Sequence, residues 1–202
     1  QDNQTISGQK IEYKEFPDSK GVSYAARGSV MILEQERLAT CGEAVYDRKN
    51  GKTTLRINPE ITDNGQVITG SEIFLKYNED VLQDIFIPKD ARAIRPTNGT
   101  REWFEVVDGD TSTFTDSASF VDDMTGSTLR GFFVDGSLDS LRLEGMATTI
   151  YHLFEDSVYQ GRNLVTGDTI SMKFDNQDLD HIFVNGGSRG TYIPDSTNGE
   201  VD

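Results

Sequence analysis

The side chains that could carry chemistry are few and badly spaced for it. Two histidines, His152 and His181, and one cysteine, Cys41, stand too far apart in sequence to suggest a ligand set for zinc or a transition metal. No Gly-x-Ser-x-Gly elbow, phosphate loop or His-Glu-x-x-His motif occurs. Carboxylates are abundant, so a calcium site or a catalytic pair deserves a test. The run Asp175-Asn176-Gln177-Asp178-Leu179-Asp180 opens like a calcium loop, but its sixth position is Asp180 where such a loop needs Gly, and Gly186 stands at the twelfth position where it needs Glu. It reads as a polar hairpin turn, as do Asp108-Gly109-Asp110 and Asp122-Asp123 as loop residues. Two facing carboxylates in a cleft would be needed for glycoside hydrolysis, and the acidic residues fall instead on turns and outward positions. No catalytic residue, metal or cofactor is expected. Cys41 lies in an alternating strand-like segment and is a poor nucleophile candidate.

The elements that must position these residues are strands. Asn-Gly or Asp-Gly turns recur at Asn50-Gly51, Asn64-Gly65, Asn98-Gly99, Asp108-Gly109, Asp135-Gly136 and Asn185-Gly186, each suited to a type I′ hairpin. Period-2 segments between them predict strands over Lys10–Phe16, Ser23–Leu33, Leu38–Tyr46, Thr53–Ile57, Val67–Tyr77, Leu82–Pro88, Glu102–Val107, Thr128–Val134, Leu138–Leu143, Ala147–Phe154, Asp168–Phe174 and Leu179–Val184. No 3.6-residue apolar period is sustained; a short helix has room only near Asn78–Leu82 or Val121–Met124. The fold class is all-β.

Composition narrows the function. With 19 Lys+Arg against 34 Asp+Glu in 202 residues, the formal charge is −15. Nucleic-acid phosphates would repel such a chain, so no nucleic-acid partner is expected. Hydrophobic residues make up 35%, lean but sufficient for a core. No run of 18 apolar residues could span a bilayer as a helix. Gln1–Lys10 lacks the basic and apolar regions of a leader, so any leader is expected to be already removed or never present. One cysteine does not decide the compartment.

Internal repetition gives the strands an order. Thr166-Gly167-Asp168-Thr169-Ile170-Ser171-Met172-Lys173-Phe174, running on to Leu179-Asp180-His181-Ile182-Phe183-Val184, aligns without gaps to Thr69-Gly70 through Tyr77 and Leu82 through Ile87. A third copy starts at Thr125-Gly126 and runs through Leu129, Phe133, Leu138 and Leu143. The copies start 56 and 41 residues apart, which excludes a solenoid of fixed period and favours hairpins stacked in one sheet system. In each copy one parity is apolar: Ile73, Leu75 and Tyr77; Leu129 and Phe133; Ile170, Met172 and Phe174. The return strands add Ile85 and Ile87, Leu141 and Leu143, and Ile182 and Val184. Phe86 and Phe183 take the opposite parity at equivalent places, as an outer patch or as scattered exposed aromatics.

Ala44-Val45-Tyr46-Asp47, Leu55-Arg56-Ile57-Asn58-Pro59-Glu60-Ile61 and Val67-Ile68-Thr69-Gly70-Ser71-Glu72-Ile73, with their intervening turns, resemble the OstA-like family of lipopolysaccharide-transport proteins, to which LptA and LptC belong. Gly145-Met146-Ala147 and Val165-Thr166-Gly167-Asp168-Thr169-Ile170 repeat the phrasing. The resemblance covers Tyr24 to Tyr192; 95–120 and 1–20 depart from it.

That resemblance implies an elongated antiparallel β-jellyroll, or taco, with an apolar groove for acyl chains. It implies a periplasmic, non-enzymatic scaffold whose partners are lipopolysaccharide or a related lipid and homologous jellyroll domains paired edge to edge, a self-oligomer included. The fourteen inward residues, Ile73, Leu75, Tyr77, Ile85, Ile87, Leu129, Phe133, Leu141, Leu143, Ile170, Met172, Phe174, Ile182 and Val184, then become the expected lipid-binding face, although core packing between the sheets is the more ordinary role for any one of them. Shielding is worth having: at roughly 0.8 kcal/mol per methylene, an acyl chain of about a dozen carbons costs on the order of 10 kcal/mol in water. Residues 1–20 are expected to form an N-terminal segment that could serve as an edge strand, 21–193 one jellyroll domain, and 194–202 a polar tail. The different reading is a non-catalytic β-repeat module that is structural or binds carbohydrate or protein.

Overall fold

A computed structural model describes residues 4–15, 22–34, 36–79, 81–175 and 178–195. Sixteen strands form one connected sheet: β1 (Gln4–Ser7), β2 (Lys10–Glu15), β3 (Val22–Glu34), β4 (Arg37–Asp47), β5 (Lys52–Arg56), β6 (Glu60–Asp63), β7 (Gln66–Thr69), β8 (Glu72–Asn78), β9 (Val81–Ile87), β10 (Ala91–Val107), β11 (Asp110–Gly126), β12 (Thr128–Val134), β13 (Ser137–Glu155), β14 (Val158–Asp175), β15 (Asp178–Asn185) and β16 (Arg189–Pro194). A 3-10 turn over Arg48–Asn50, capped by the Asp47 side chain, is the only helical element among the described residues. Neither stretch with room for a short helix forms one among the described residues, and residue 80 lies outside them. Asn78 and Val81–Leu82 flank a β8–β9 hairpin turn, and Val121–Met124 lies inside β11, where ladder pairing to β10 takes up its backbone.

The sheet is folded along a line into two walls. Wall A runs β2, the first half of β3, the second half of β4, then β5, β8, β9, β12, the first half of β13, the second half of β14 and β15. Wall B runs β1, the remaining halves of β3 and β4, then β6, β7, β10, β11, the remaining halves of β13 and β14, and β16. The chain crosses between them at ten corners of two alternating kinds. At Gly8, Gly42, Gly70, Gly126 and Gly167 a glycine leaves room for the neighbouring strand: a Cβ at Gly42 would stand 2.7 Å from Ile57 Cβ, and one at Gly167 2.6 Å from Val184 Cγ1. On the strand beside each, the backbone turns through positive φ, at Gly28-Ser29, Ile57-Asn58, Asp90, Gly145-Met146 and Gly186-Gly187. Backbone hydrogen bonds tie the two kinds together, from Gln9 to Gly28, Gly42 to Ile57, Ser71 to Lys89, Ser127 to Gly145 and Asp168 to Gly186.

This spine explains the repeats. Each Thr-Gly start is a glycine corner, followed by a wall A hairpin and a positive-φ corner. Val67–Tyr77, expected as one strand, is therefore broken at Gly70-Ser71 into β7 and β8, while Leu138–Leu143 and Ala147–Phe154 are one strand, β13, bent at Gly145-Met146. The longer interval between the first two copies is taken up by the β10–β11 hairpin, whose outer part is the segment that departs from the family pattern.

The core lies between the walls, and near the spine it packs large side chains on small ones. Wall A contributes Leu55, Ile73, Ile87, Leu129, Leu143 and Ile170, all fully buried, against Val30, Ala39, Cys41, Ala91, Ala93 and Ala147 of wall B. Burial pushes the Cys41 thiol up from its usual range, as expected of a packing residue.

Candidate functional site: an apolar cavity with a polar rim

Strand register arranges the inward side chains of wall A in three rows parallel to the spine. The first row contains Leu55, Ile73, Ile87, Leu129, Leu143, Ile170 and Val184; the second contains Thr53, Leu75, Ile85, Gly131, Leu141, Met172 and Ile182. The third, nearest the hairpin turns, consists of three facing pairs: Tyr77 and Leu82, Phe133 and Leu138, Phe174 and Leu179. Each pair lies beyond a register shift, which leaves Gln83, Asp139 and Asp180 as extra residues. Burial of the Tyr77 ring pushes its hydroxyl up to about 12.

Between the second and third rows and wall B lies a cavity of about 220 Å³. Of the fourteen expected residues, Leu75, Ile85, Phe133, Leu141, Met172 and Phe174 line it. Ile73, Ile87, Leu129, Leu143 and Ile170 are buried closer to the spine, whereas Tyr77, Ile182 and Val184 are partly buried against the core away from the cavity. The lining also includes residues that sequence alternation passed over. Leu82, Leu138 and Leu179 share a wall with the expected set but carry the opposite parity, because the bulge flips the side-chain direction; their recurrence at one offset in all three copies was the available signal.

Wall B was not foreseen as a lining. Its inner row, Ile61, Ile68, Ala93, Met124 and Thr149, is apolar apart from one hydroxyl, but its outer row is polar, with Arg37, Asp63, Arg95 and Asp122 charged and Gln66 and Tyr151 neutral. Arg37 pairs with Asp63 at 3.0 Å. Asp122, only 2% exposed, accepts from Arg95 Nη2 at 2.7 Å and from the backbone N–H of His152 at 2.9 Å; its Oδ1 is also 2.9 Å from His152 Nδ1. Burial works against the Arg95 charge, but the hydrogen bond to Asp122, the charge of that carboxylate and the Tyr151 hydroxyl together outweigh it and raise the guanidinium above its ordinary range. Asp122 is thus a buried strand residue facing inward, which corrects its reading as a loop residue; with Asp63 it also corrects the expectation that inward positions are wholly apolar. Its charge is tolerable there because three donors surround it.

The cavity therefore has one apolar wall and a polar rim opposite, an arrangement that fits an amphiphile. The outer face of wall A carries Phe86 and Phe183 as parity required. Phe86 stacks on Phe74 at 6.2 Å, and Phe183, 58% exposed, stacks on His181 at 5.9 Å. Among the described residues no cluster of His, Cys, Asp and Glu could hold a metal ion. The loop Asp175–Asp180 includes residues 176–177, which lie outside the described residues.

Residues 1–81 match the family model described as LptA/(LptD N-terminal domain) LPS transport protein. No curated protein sequence matches. The fold is similar to the crystal structure of LptH, the LptA homologous periplasmic component of the conserved lipopolysaccharide transport device from Pseudomonas aeruginosa. The TM-score is 0.50 at 14% identity, over 79% of this chain and 94% of that one. At that identity the likeness is one of fold. Residues 1–81 thus match the lipopolysaccharide-transport family that the strand motifs resemble, and the fold is an LptA-like β-jellyroll.

Proposed function

We propose that the chain is a non-enzymatic periplasmic component of lipopolysaccharide transport that shelters acyl chains between its walls and pairs through its end strands with like domains. The observation that carries this reading is the cavity, apolar over the second and third rows of wall A and rimmed by charge on wall B. Acyl methylenes gain most against Leu141, Met172, Phe133 and Phe174, while Arg37, Arg95 and Tyr151 offer donors to a polar head group at the mouth. The fourteen residues divide accordingly: Leu75, Ile85, Phe133, Leu141, Met172 and Phe174 are the proposed contacts, and the remainder hold the walls. The edges β1 and β2 at one end, and β15 and β16 at the other, have unpaired backbone along one side among the described residues. They are the proposed docking strands. In this reading 21–193 act as one carrier unit, with the described residues 4–15 of the segment 1–20 contributing an edge and 194–202 a tail; 1–3, 16–21, 35, 80, 176–177 and 196–202 lie outside the described residues.

A photocrosslinking residue placed at Phe133, Leu141 or Phe174 should trap lipopolysaccharide, and one at the outward Phe132 or Phe183 should not. Capture only from outward positions, or from none, overturns the reading. Leu129→Asp or Ile170→Asp is the wrong test, because both residues are fully buried beside the spine and an unpaired carboxylate there would unfold the walls.

A further inference from the structure

The β10–β11 hairpin outruns the rest of wall B. On one side β10 pairs with β7 only at Arg92–Ile94 and with β14 only at Thr100; on the other, β11 pairs with β13 only at Asp123–Thr125. From Arg101 and Asp116 outward the two strands pair only with each other, and a two-stranded ribbon is marginal in water on its own. This ribbon also carries Trp103 stacked on Phe114, ring centroids 5.8 Å apart, with Phe104 and Val106 exposed on the opposite face.

The turn defines which backbone groups face outward. Asp108 and Gly109 both have positive φ, 54° and 87°, and close on the pair Val107 and Asp110. In such a two-residue hairpin the closing pair exchanges both hydrogen bonds, and bonded and non-bonded pairs alternate from there. Thr111, Thr113, Thr115, Ser117 and Ser119 therefore direct N–H and C=O away from β10. The alternation is met on the other strand, where Thr100 N–H points outward and donates to Ser157 O at 2.8 Å. That contact occupies the β10 edge at its base. The β11 edge has no paired strand over 110–122 among the described residues; its Ser117 N–H is met by the Asp116 side chain at 2.8 Å and would have to be released on pairing, and the edge contains no Lys, Pro or bulge of the kind that blunts exposed edges.

We propose that this edge pairs antiparallel with β11 of a second copy of the chain, about a two-fold axis at Phe114. In that register Thr113 lies opposite Thr115 of the second copy, and the two exchange hydrogen bonds. Asp116 lies opposite Ser112 and Asp110 opposite Ala118, so no like charges face each other. Shifting the axis to Thr113 would set Asp110 against Asp116; shifting it to Thr115 would set Phe114 against Asp116. Only the Phe114 register brings the rings together, in a row of Trp103, Phe114, Phe114 of the second copy and its Trp103. The pairing is isologous and closes at two copies. By strand alternation the row lies on the face that Ala93, Arg95, Asp122 and Met124 present to the cavity, in both copies. The interface is separate from the end strands proposed for docking.

Analytical ultracentrifugation of the full chain over a concentration series should show a dimer. Thr113→Pro removes an outward N–H without touching the bonds to β10, and Thr115→Pro duplicates the test at the partnering position. Either should weaken dimerisation at least tenfold while leaving the circular dichroism spectrum unchanged. Phe114→Cys should form an intermolecular disulfide under mild oxidation, and Ser112→Cys should not. A chain that stays monomeric throughout overturns the proposal, as does a dimer untouched by both prolines, which would assign association to the end strands.

Discussion

Asp122 is held by Arg95, by the ring of His152 and by the His152 backbone, all within 3.1 Å. Removing the carboxylate alone, in Asp122→Ala, leaves a guanidinium at the cavity rim without its counter-ion and should cost about 3–5 kcal/mol in a denaturant titration. Replacing both partners, in Asp122→Leu with Arg95→Met, should recover most of that loss, because apolar substitutes for a buried pair are often neutral or better. Should the double variant be as unstable as the single one, the pair is itself a source of stability and not a rim retained for the head group. Sequence alternation missed this residue for a physical reason. An isolated Asp-Asp reads as a turn, and only the long-range pairing of β11 with β10 shows that Asp122 and Met124 share the inward face. The same limit applies to Leu82, Leu138 and Leu179. A bulge adds one residue, inverts the parity beyond it and leaves no mark in a period-2 count.

The corners set the shape at the level of the elements. A glycine corner lets the adjacent strand's side chain lie where a Cβ would be, so Gly42→Ala and Gly167→Ala should each destabilise by about 1–3 kcal/mol through overpacking against Ile57 and Val184. Gly190→Ala in β16, where nothing lies within 4 Å, should stay within about 0.5 kcal/mol of wild type. Equal effects at all three positions in thermal unfolding would show that the spine does not depend on close approach. The three Thr-Gly repeats were legible in the sequence, and so was the hairpin after each. Their role was not, because a glycine without positive φ looks like any strand glycine until the neighbouring strand is placed beside it. β6 and β16 were missed for a related reason. They are only 4 and 6 residues long, and the apolar inward side of β6 is a single residue, Ile61. β11 is long but reads as Ser, Thr and Asp over most of its length.

For the whole molecule, the charge of −15 and the apolar interior make opposing demands on an anionic amphiphile. Under the proposed function, the acidic exterior would repel a phosphorylated head group over roughly 10 Å at moderate salt, while acyl chains would be drawn between the walls by contacts that salt hardly affects. Arg37 and Arg95 are the cations at the cavity mouth, and each is already paired with a carboxylate, Asp63 or Asp122, so a head group can gain little net charge attraction there. Capture should therefore be governed by chain burial. Between about 0.05 and about 0.5 M salt, the dissociation constant for lipopolysaccharide measured by fluorescence displacement should change by less than about threefold. Shortening the acyl chains should weaken it by roughly 0.8 kcal/mol for each methylene that leaves the cavity. A steep loss of affinity with salt would mean that the rim arginines exchange their carboxylates for the head group. A steep gain would mean that the acidic surface, not the cavity, limits capture.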